Sequence, residues 1–453
     1  MPHIARYLFV TNRGPVQLGA DAQTLVRSGG GLASGLLGLM EHQGNAEVRW
    51  LFPVSSEGEL AAARSGSYAT IQSGLLPAAV DAGAHRTAYE VIANQYFWYL
   101  FHGLFDLSFE PIFNTDFFQA YEQYRVFNSQ IADAVWRLDL ANTTIVVNDY
   151  HLMLVPQLLR DLGFTGPIVL FFHTPICTAG ESKVIPASLR QELTTSFAAA
   201  NAIGLHADRW AQNLVDSFGS RGPSLPRTIV APIPADTTTI LNSLDDESVA
   251  REREQLGALT LGLPTILRVD RIEPSKNLLR GVWAIDELLR RQPKAIGAFR
   301  AMLFAYPSRA TIPKYQRLVT QLETLVGEVN ERWQHRGWEP IHLDLSDRPT
   351  RSLASYQLFD TLLVNPLRDG LNLVVFEAAL AAKPSAQIVL STGAGASEHV
   401  GQWLELIDPL DIVATAEALE RGRLEGGDLG PVRTWTEGNT WTRWLETISA
   451  AVR

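Results

Sequence analysis

A chain of 453 residues with 46% hydrophobic and 19% charged side chains has ample material for a full core and too little charge for disorder to dominate. Its 38 basic and 48 acidic residues give a formal net charge of −10, which excludes a globally basic nucleic-acid surface and leaves phosphate binding to a few local cations. The single cysteine, Cys177, excludes an internal disulfide and any multi-cysteine zinc site.

The opening MPHIARYLFVTN has no signal-like apolar core, and nowhere do about 18 apolar residues run together. A soluble cytoplasmic protein without a membrane span is expected. Short apolar runs rich in β-branched and aromatic residues recur at 7–11, 144–148, 168–173, 228–233, 265–269, 302–306, 361–365 and 387–391, separated by segments long enough for helices. Several are apolar on both faces, as strands between two helical layers must be, so the spacing predicts an alternating α/β protein built on parallel sheets.

In chain order, the turn SGGGLASG at 28–35 has a phosphate-loop composition without the pattern. A dinucleotide fingerprint needs a glycine where Ser34 stands and no Walker lysine follows, so an ordinary tight turn remains the alternative. Residues 61–83, rich in Ala, Gly and Ser, read as a surface excursion. NDYHL brings Asp149 and His151, and FFHTP brings His173, to the ends of strand-like runs, where polar side chains can line a crevice. The shift to turn-forming and polar residues over 231–254 places a domain boundary near residue 245.

The second half opens with RVDRIEPSKN, where Arg271 and Lys276 follow a strand and can neutralise a diphosphate leaving group without a metal. Tyr315, Leu318, Leu322 and Leu325 share one helical face. At 366–378, PLRDGLNLVVFEA follows an apolar run and predicts a turn and then a helix beginning near Asn372. Such a helix start offers free N–H groups and a positive dipole end to an anion, with Asp369 and Glu377 placed for sugar hydroxyls. That is chemistry for a sugar nucleotide. Trp441, Trp444, Leu445 and Ile448 place an apolar stripe on a terminal helix, with Asn439 as its cap. Neither HExxH nor GxSxG occurs, which removes the usual handles for zinc proteolysis and serine hydrolysis. Paired carboxylates for glycoside hydrolysis stay open, although phosphate-directed cations fit that chemistry poorly.

From TNRGP to VLSTGAGASEHVG, the ordered motifs resemble the trehalose-6-phosphate synthase family of retaining glycosyltransferases, family 20. The resemblance implies a GT-B fold: Rossmann-like acceptor and nucleotide-sugar domains, here 1–245 and 246–430, facing an interdomain cleft. A terminal helical segment, 431–453, would pack back on the first domain. It further implies that Arg13, Tyr89, Trp98 and the Arg309 of AYPSR bind the acceptor phosphate, which suits bidentate guanidinium donors beside aromatic walls. On the donor side it implies that Gly30 and Gly31 approach the diphosphate and that Asp149, His173 and Asp369 surround the transferred glucose. Arg271 and Lys276 would hold the diphosphate, supplemented by the backbone of Asn372, Leu373 and Val374, while Glu377 takes the ribose hydroxyls. Retention in this family is explained by a front-face reaction in which the departing phosphate oxygen accepts the proton of the incoming hydroxyl.

The expected activity is therefore synthesis of α,α-trehalose 6-phosphate from a nucleoside diphosphate glucose and glucose 6-phosphate, with no cofactor, no metal and no nucleic-acid or membrane partner. A homo-oligomer stays open. The segments IEPSKN and FFHTPICTAGES depart from the common family pattern, and SKN, FAYPSR and HADRW are similar to a branch with actinobacterial synthases, some using a guanosine donor. The nucleotide base is thus open. So are a glucosylglycerol-phosphate synthase, a valienyl-transferring pseudo-glycosyltransferase and, in another class, a catalytically silent sugar-phosphate sensor.

Overall fold

The computed structural model describes residues 5–18, 25–27, 31–41, 46–219, 222–309 and 311–453. The chain divides into two compact units, Met1–Ile233 with Trp441–Arg453, and Pro234–Thr440.

In the first unit the strands are β1 (Ala5–Val10), β2 (Val16–Leu18), β3 (Leu25–Arg27), β4 (Ala46–Val54), β5 (Leu75–Ala79), β6 (Thr143–Asn148), β7 (Ile168–Phe171), β8 (Ala202–Leu205) and β9 (Arg227–Val230). β2 and β3 pair as an antiparallel ribbon. The other seven form one sheet in the order β5-β4-β1-β6-β7-β8-β9, with every neighbouring pair parallel. Tyr7, Leu8, Phe9 and Val10 are all buried, which is why β1 reads as an unbroken apolar run. The chain winds outward from β1 to β5 and then returns to β6, so a switch point lies between β1 and β6, where open α/β sheets bind ligands at their carboxyl ends. Arg13 follows β1, Asp149 follows β6 and His173 follows β7.

Residues 61–83 are not a loose excursion. They hold the end of a helix, Glu57–Arg64, a short helix, Ser67–Ile71, and β5, which completes the sheet beside β4. The small residues misled the reading because β5 is an edge strand with one face half exposed.

The second unit carries β10 (Thr265–Ile272), β11 (Arg300–Pro307), β12 (Ile341–Asp344), β13 (Thr361–Val364), β14 (Gln387–Ser391) and β15 (Glu405–Ile407). They form a six-stranded sheet in the order β12-β11-β10-β13-β14-β15, again parallel throughout. Its switch point lies between β10 and β13, the strands that lead to Arg271 and Asp369. Helix Pro313–Trp333 covers this sheet with the expected stripe: Tyr315 and Leu322 are buried, and Leu318 and Leu325 pack partly buried against the core.

The division falls at Ile233–Pro234 rather than near residue 245. Asp236 caps the helix Thr237–Ser243, accepting from the Thr239 amide at 3.1 Å, and that helix packs on Val374–Ala381 of the second unit. Similarly, the helix Gly430–Gly438 belongs to the second unit, where Trp435 stacks on Phe376 at 4.9 Å, and only Trp441–Arg453 returns to the first. Asn439 is the C-cap of that earlier helix. In the returning helix the Trp444 indole donates to the Ala231 carbonyl at 3.0 Å and its ring packs on Phe9 and Phe171. Among the described residues, no helix is long and apolar enough to cross a membrane.

Candidate active site

In the first unit, Arg13 leaves the carboxyl end of β1 and donates to the Tyr89 hydroxyl, with its guanidinium carbon 4.7 Å from the Tyr89 ring centre. The ring in turn stacks on His151 at 5.7 Å. Asn12, Arg13, Ser55, Ala82, His85, Arg86, Tyr89 and Glu90 surround a cavity of about 250 Å³. Two arginines and a phenol around so small a volume suit a phosphate. His85 accepts or donates at Ser55 Oγ, 3.2 Å away. Burial first, and then the Arg13 charge, depress its pKa against the opposing pull of Glu59.

Tyr89 lies in a π-helix, Ala88–Phe97, whose wide turns set the spacing to Trp98. Trp98 does not line the cavity; it is buried and stacks on His102 at 4.1 Å. A separate cavity of about 700 Å³, bounded in part by Glu122, Arg125, Leu158 and Glu192, contains none of the candidate residues.

Asp149 follows β6 in the left-handed region at φ 70°, a conformation that costs a non-glycine residue and turns the chain sharply. Its amide extends the ladder to the Phe171 carbonyl at 2.7 Å, and its Oδ1 accepts from the His173 amide at 3.4 Å. The His173 ring is locked from both sides. Asn148 spends its Nδ2 hydrogens on the Val10 and Val146 carbonyls, so its Oδ1 must accept from His173 Nε2, 2.9 Å away. His173 Nδ1 is then the acceptor for His206 Nε2 at 3.2 Å. Burial pushes the His173 pKa down to about 3, which keeps the ring neutral at physiological pH. No motif in the sequence marks Asn148 or His206 as partners of His173.

In the second unit, Lys276 lies between two carboxylates, with Nζ 2.7 Å from Asp369 Oδ2 and 3.3 Å from Asp270 Oδ1. Burial works against its charge, but Asp369 and Asp270 outweigh that cost and hold its pKa above the ordinary value. Arg268, buried within β10, pairs with Asp270 at 3.1 Å and donates to the Asn365 side chain and the Lys276 carbonyl, fixing the loop that carries the lysine. Arg271 is half exposed and meets Glu273 Oε1 at 3.2 Å, a partner that raises its pKa. Arg309, at φ 47°, shares that oxygen at 3.6 Å and donates to the Tyr315 hydroxyl at 2.5 Å. Thus Arg309 stands beside Arg271 in the second unit, while Arg13 and Tyr89 stand together in the first.

The clamp is charge-balanced rather than purely cationic. Asp270 and Glu273 sit in the same RVDRIEPSKN segment whose cations stand out in the sequence, and strict alternation along β10 is the signal that turns Asp270 inward beside Arg268.

The acid-glycine turn is braced by glycines on the neighbouring loop. Asp369 donates its amide to the Gly393 carbonyl at 3.1 Å and accepts from the Gly395 amide at 3.1 Å. A side chain at Gly393 or Gly395 would strike the carbonyl oxygen of Leu367 or Gly370, so the turn and STGAG can cross only where Cβ is missing. Asn372, at φ 78°, donates to Asp369 Oδ2 at 3.1 Å. That left-handed residue delays the helix to Val374–Ala381, two positions later than expected, with Leu373 as its N-cap. Glu377, in the first turn, has a carboxyl raised by burial to about 7 against the lowering effect of the nearby Tyr356 hydroxyl. Gly30 lies outside the described residues, and Gly31 opens the helix Gly31–Glu41. Among the described residues, no cluster of His, Cys, Asp and Glu could hold a metal.

The family model for glycosyltransferase family 20 matches residues 5–423. The chain is 29% identical over 434 residues to the UDP-forming alpha,alpha-trehalose-phosphate synthase 1 of Arabidopsis thaliana, a match covering 91% of this chain and 45% of that protein. It is also 29% identical over 436 residues to the bifunctional trehalose-6-phosphate synthase/phosphatase of Thermoproteus tenax, covering 91% and 58%. The chain therefore spans about half the length of these curated relatives. Validamine 7-phosphate valienyltransferase of Streptomyces hygroscopicus is 27% identical over 349 residues, 74% of this chain and 67% of that protein. A UDP-forming synthase structure from Burkholderia xenovorans superposes with a TM-score of 0.79 at 26% identity, over 99% of each chain. The E. coli trehalose-6-phosphate structure bound with UDP-2-fluoro glucose does so with 0.82 at 23%, also over 99% of each, and shows the GT-B fold. With that fold and a family match over nearly its whole length, the chain belongs to glycosyltransferase family 20.

Proposed function

We propose that the chain is a retaining glucosyltransferase that joins glucose from a nucleoside diphosphate glucose to glucose 6-phosphate, giving α,α-trehalose 6-phosphate and a nucleoside diphosphate. The observation that carries this is Lys276 held between Asp369 and Asp270 at the switch point of the second sheet, braced by the Gly393 and Gly395 crossing. There a cation meets the leaving group and a carboxylate meets the sugar within one hydrogen-bonded unit.

In this reading the bond from the anomeric carbon to the diphosphate oxygen breaks as Arg271 and Lys276 take up the developing charge, with no resident metal. The acceptor hydroxyl attacks from the same face, and its proton passes to the departing phosphate oxygen, so configuration is retained without an enzymic nucleophile. Asp149, His173 and Asp369 orient the transferred glucose, and Glu377 takes the ribose hydroxyls. The neutral, doubly engaged ring of His173 favours a fixed wall over a general acid. Arg13 and Tyr89 take the acceptor phosphate, with Trp98 and Arg309 assigned to the same ligand by family resemblance. The backbone of Asn372, Leu373 and Val374 supplements the diphosphate contacts. A cytoplasmic location goes with these substrates.

A turnover matrix tests the reading: uridine, guanosine and adenosine diphosphate glucose against glucose 6-phosphate, glycerol 3-phosphate and a cyclitol phosphate. Nucleoside diphosphate released only when a donor and glucose 6-phosphate are both present supports it. Preference for another acceptor, or binding of both ligands without release, overturns it.

A further inference from the structure

Neither Arg86 nor Asn12 has a part in the chemistry described so far, yet both line the cavity of about 250 Å³ beside Arg13 and Tyr89. Trp98, which family resemblance assigns to the acceptor phosphate, lies outside that cavity, buried and stacked on His102. The first unit thus has a second cation of its own where the resemblance supplies an indole. We infer that Arg86 is a second phosphate-binding arginine of the acceptor site and that Asn12 Oδ1 accepts a hydrogen bond from a hydroxyl of the same ligand, so that together they select a phosphorylated polyol or sugar. This rests on the acceptor role proposed for Arg13 and Tyr89.

The Asn12 amide points to a ligand. Asn12 is only 7% exposed, and among the described residues its Oδ1 has no hydrogen-bond partner. The turn around it is otherwise satisfied: Thr11 Oγ1 accepts from the Trp50 indole at 2.7 Å and donates to the Arg13 carbonyl at 2.6 Å. A buried acceptor left unpaired is costly, and a ligand hydroxyl would relieve that cost.

Arg86, Tyr89 and Glu90 recur at three- and four-residue spacing along the helical run from Ala82 to His102, which brings them to one side. Arg86 is exposed, and among the described residues no carboxylate pairs with it. Other donors nearby are already used. The Ser55 and Ser56 amides go to Glu59 Oε2 at 3.2 and 3.0 Å, and the Ala84 amide goes to Asp81 Oδ1 at 2.7 Å. His85, stacked on Phe127 at 4.9 Å and bonded with Ser55 Oγ, is kept neutral by burial. The charges on the cavity wall are therefore two guanidiniums and the Glu90 carboxylate. A phosphate monoester carries about two negative charges at pH 7, which Arg13 and Arg86 together match. The Tyr89 hydroxyl accepts from Arg13 and keeps its own hydrogen for a further contact. Glu90 repels phosphate and suits a hydroxyl, which leaves the phosphate end to the arginines.

The test is calorimetric titration of the full chain with glucose 6-phosphate, glycerol 3-phosphate and glucose, following whichever phosphate ester the wild type binds more tightly. Arg86→Ala should weaken that ester about 5- to 30-fold and change glucose affinity by less than about 2-fold. Arg86→Lys should recover part of the loss, because it restores the charge without the planar fork. Asn12→Ala should weaken the ester about 5- to 20-fold while its thermal unfolding midpoint stays at or above that of the wild type, since Oδ1 has no protein partner to lose. Unchanged ester affinity in Arg86→Ala or Asn12→Ala, an equal loss of glucose and ester in Arg86→Ala, or a lowered midpoint in Asn12→Ala would overturn the inference. A wild type that binds glucose as tightly as either ester would overturn the acceptor reading itself, a failure visible before any variant is compared.

Discussion

Replacing Lys276 by methionine keeps the aliphatic stem and removes the ammonium that lies 2.7 Å from Asp369 Oδ2 and 3.3 Å from Asp270 Oδ1, while the neutral Asn372 amide still donates to Asp369 Oδ2 at 3.1 Å. Stripping one partner from a fully buried pair costs about 3–5 kcal/mol. Here the Lys276 and Asp369 side chains keep 13% and 17% exposure, and Asp270 retains Arg268 at 3.1 Å. The cost should therefore fall to about 2–3 kcal/mol. Urea unfolding of the second unit, read by tryptophan fluorescence, measures it. Adding Asp369→Asn removes the stranded charge, so the double variant should recover all but about 1 kcal/mol. Turnover should not recover: without the ammonium the leaving diphosphate loses a preorganised cation, and kcat should fall about 10²- to 10³-fold in both variants. A double variant as unstable as the single would show that Asp369 is not the stranded group. A kcat near wild type in either would remove Lys276 from the reaction.

Arg309→Ala should raise the acceptor KM by about 10- to 100-fold and the donor KM far less, since it removes the charge-assisted phosphate contact proposed for it. Equal shifts in both would mean that Arg309 serves the donor beside Arg271, with which it shares Glu273. His173, with a folded pKa of about 3, binds a proton in the unfolded chain before it does in the folded one. Stability of the first unit should thus fall as pH drops below about 6.5, by up to about 1.4 kcal/mol per pH unit for this group, and His173→Gln should remove that share of the slope in denaturation at pH 5 and pH 7.5. An unchanged slope would place the titration elsewhere, with His85 the next group depressed in the same direction. Trp444→Ala should destabilise the first unit by about 3–5 kcal/mol, because it empties a site between Phe9 and Phe171 and abandons the Ala231 carbonyl; a loss below about 1 kcal/mol would show the terminal helix to be dispensable.

Most of the strands legible in the sequence are ones where burial acts on both faces; the edge strand β9 is legible too, and the interior strands β4 and β8 are not. β1, β7 and β13 announce themselves as apolar runs because each lies inside its sheet, between two neighbours. β5, β12 and β15 do not, being short edge strands whose composition answers to one neighbour only. The same logic separates the site residues. Arg271, at the end of β10, and Lys276 and Asp369, beyond strand ends, stand out because they lie where topology puts ligands, and a local motif is enough to find them. Their counter-charges are harder to see. Asp270 and Glu273 acquire meaning only once alternation and the loop have turned them toward Arg268, Lys276 and Arg309. Backbone conformation is hidden for the same reason. Asn372 delays the helix because its amide side chain binds Asp369 from a left-handed residue, a preference that Asn tolerates but no periodicity reports. Sequence motifs thus locate the groups proposed to touch substrate, whereas their ionisation and aim depend on contacts made elsewhere in the chain. On that view, substitutions at Asp270 or Asn148 should alter pH dependence or affinity while every motif that identifies the family stays intact.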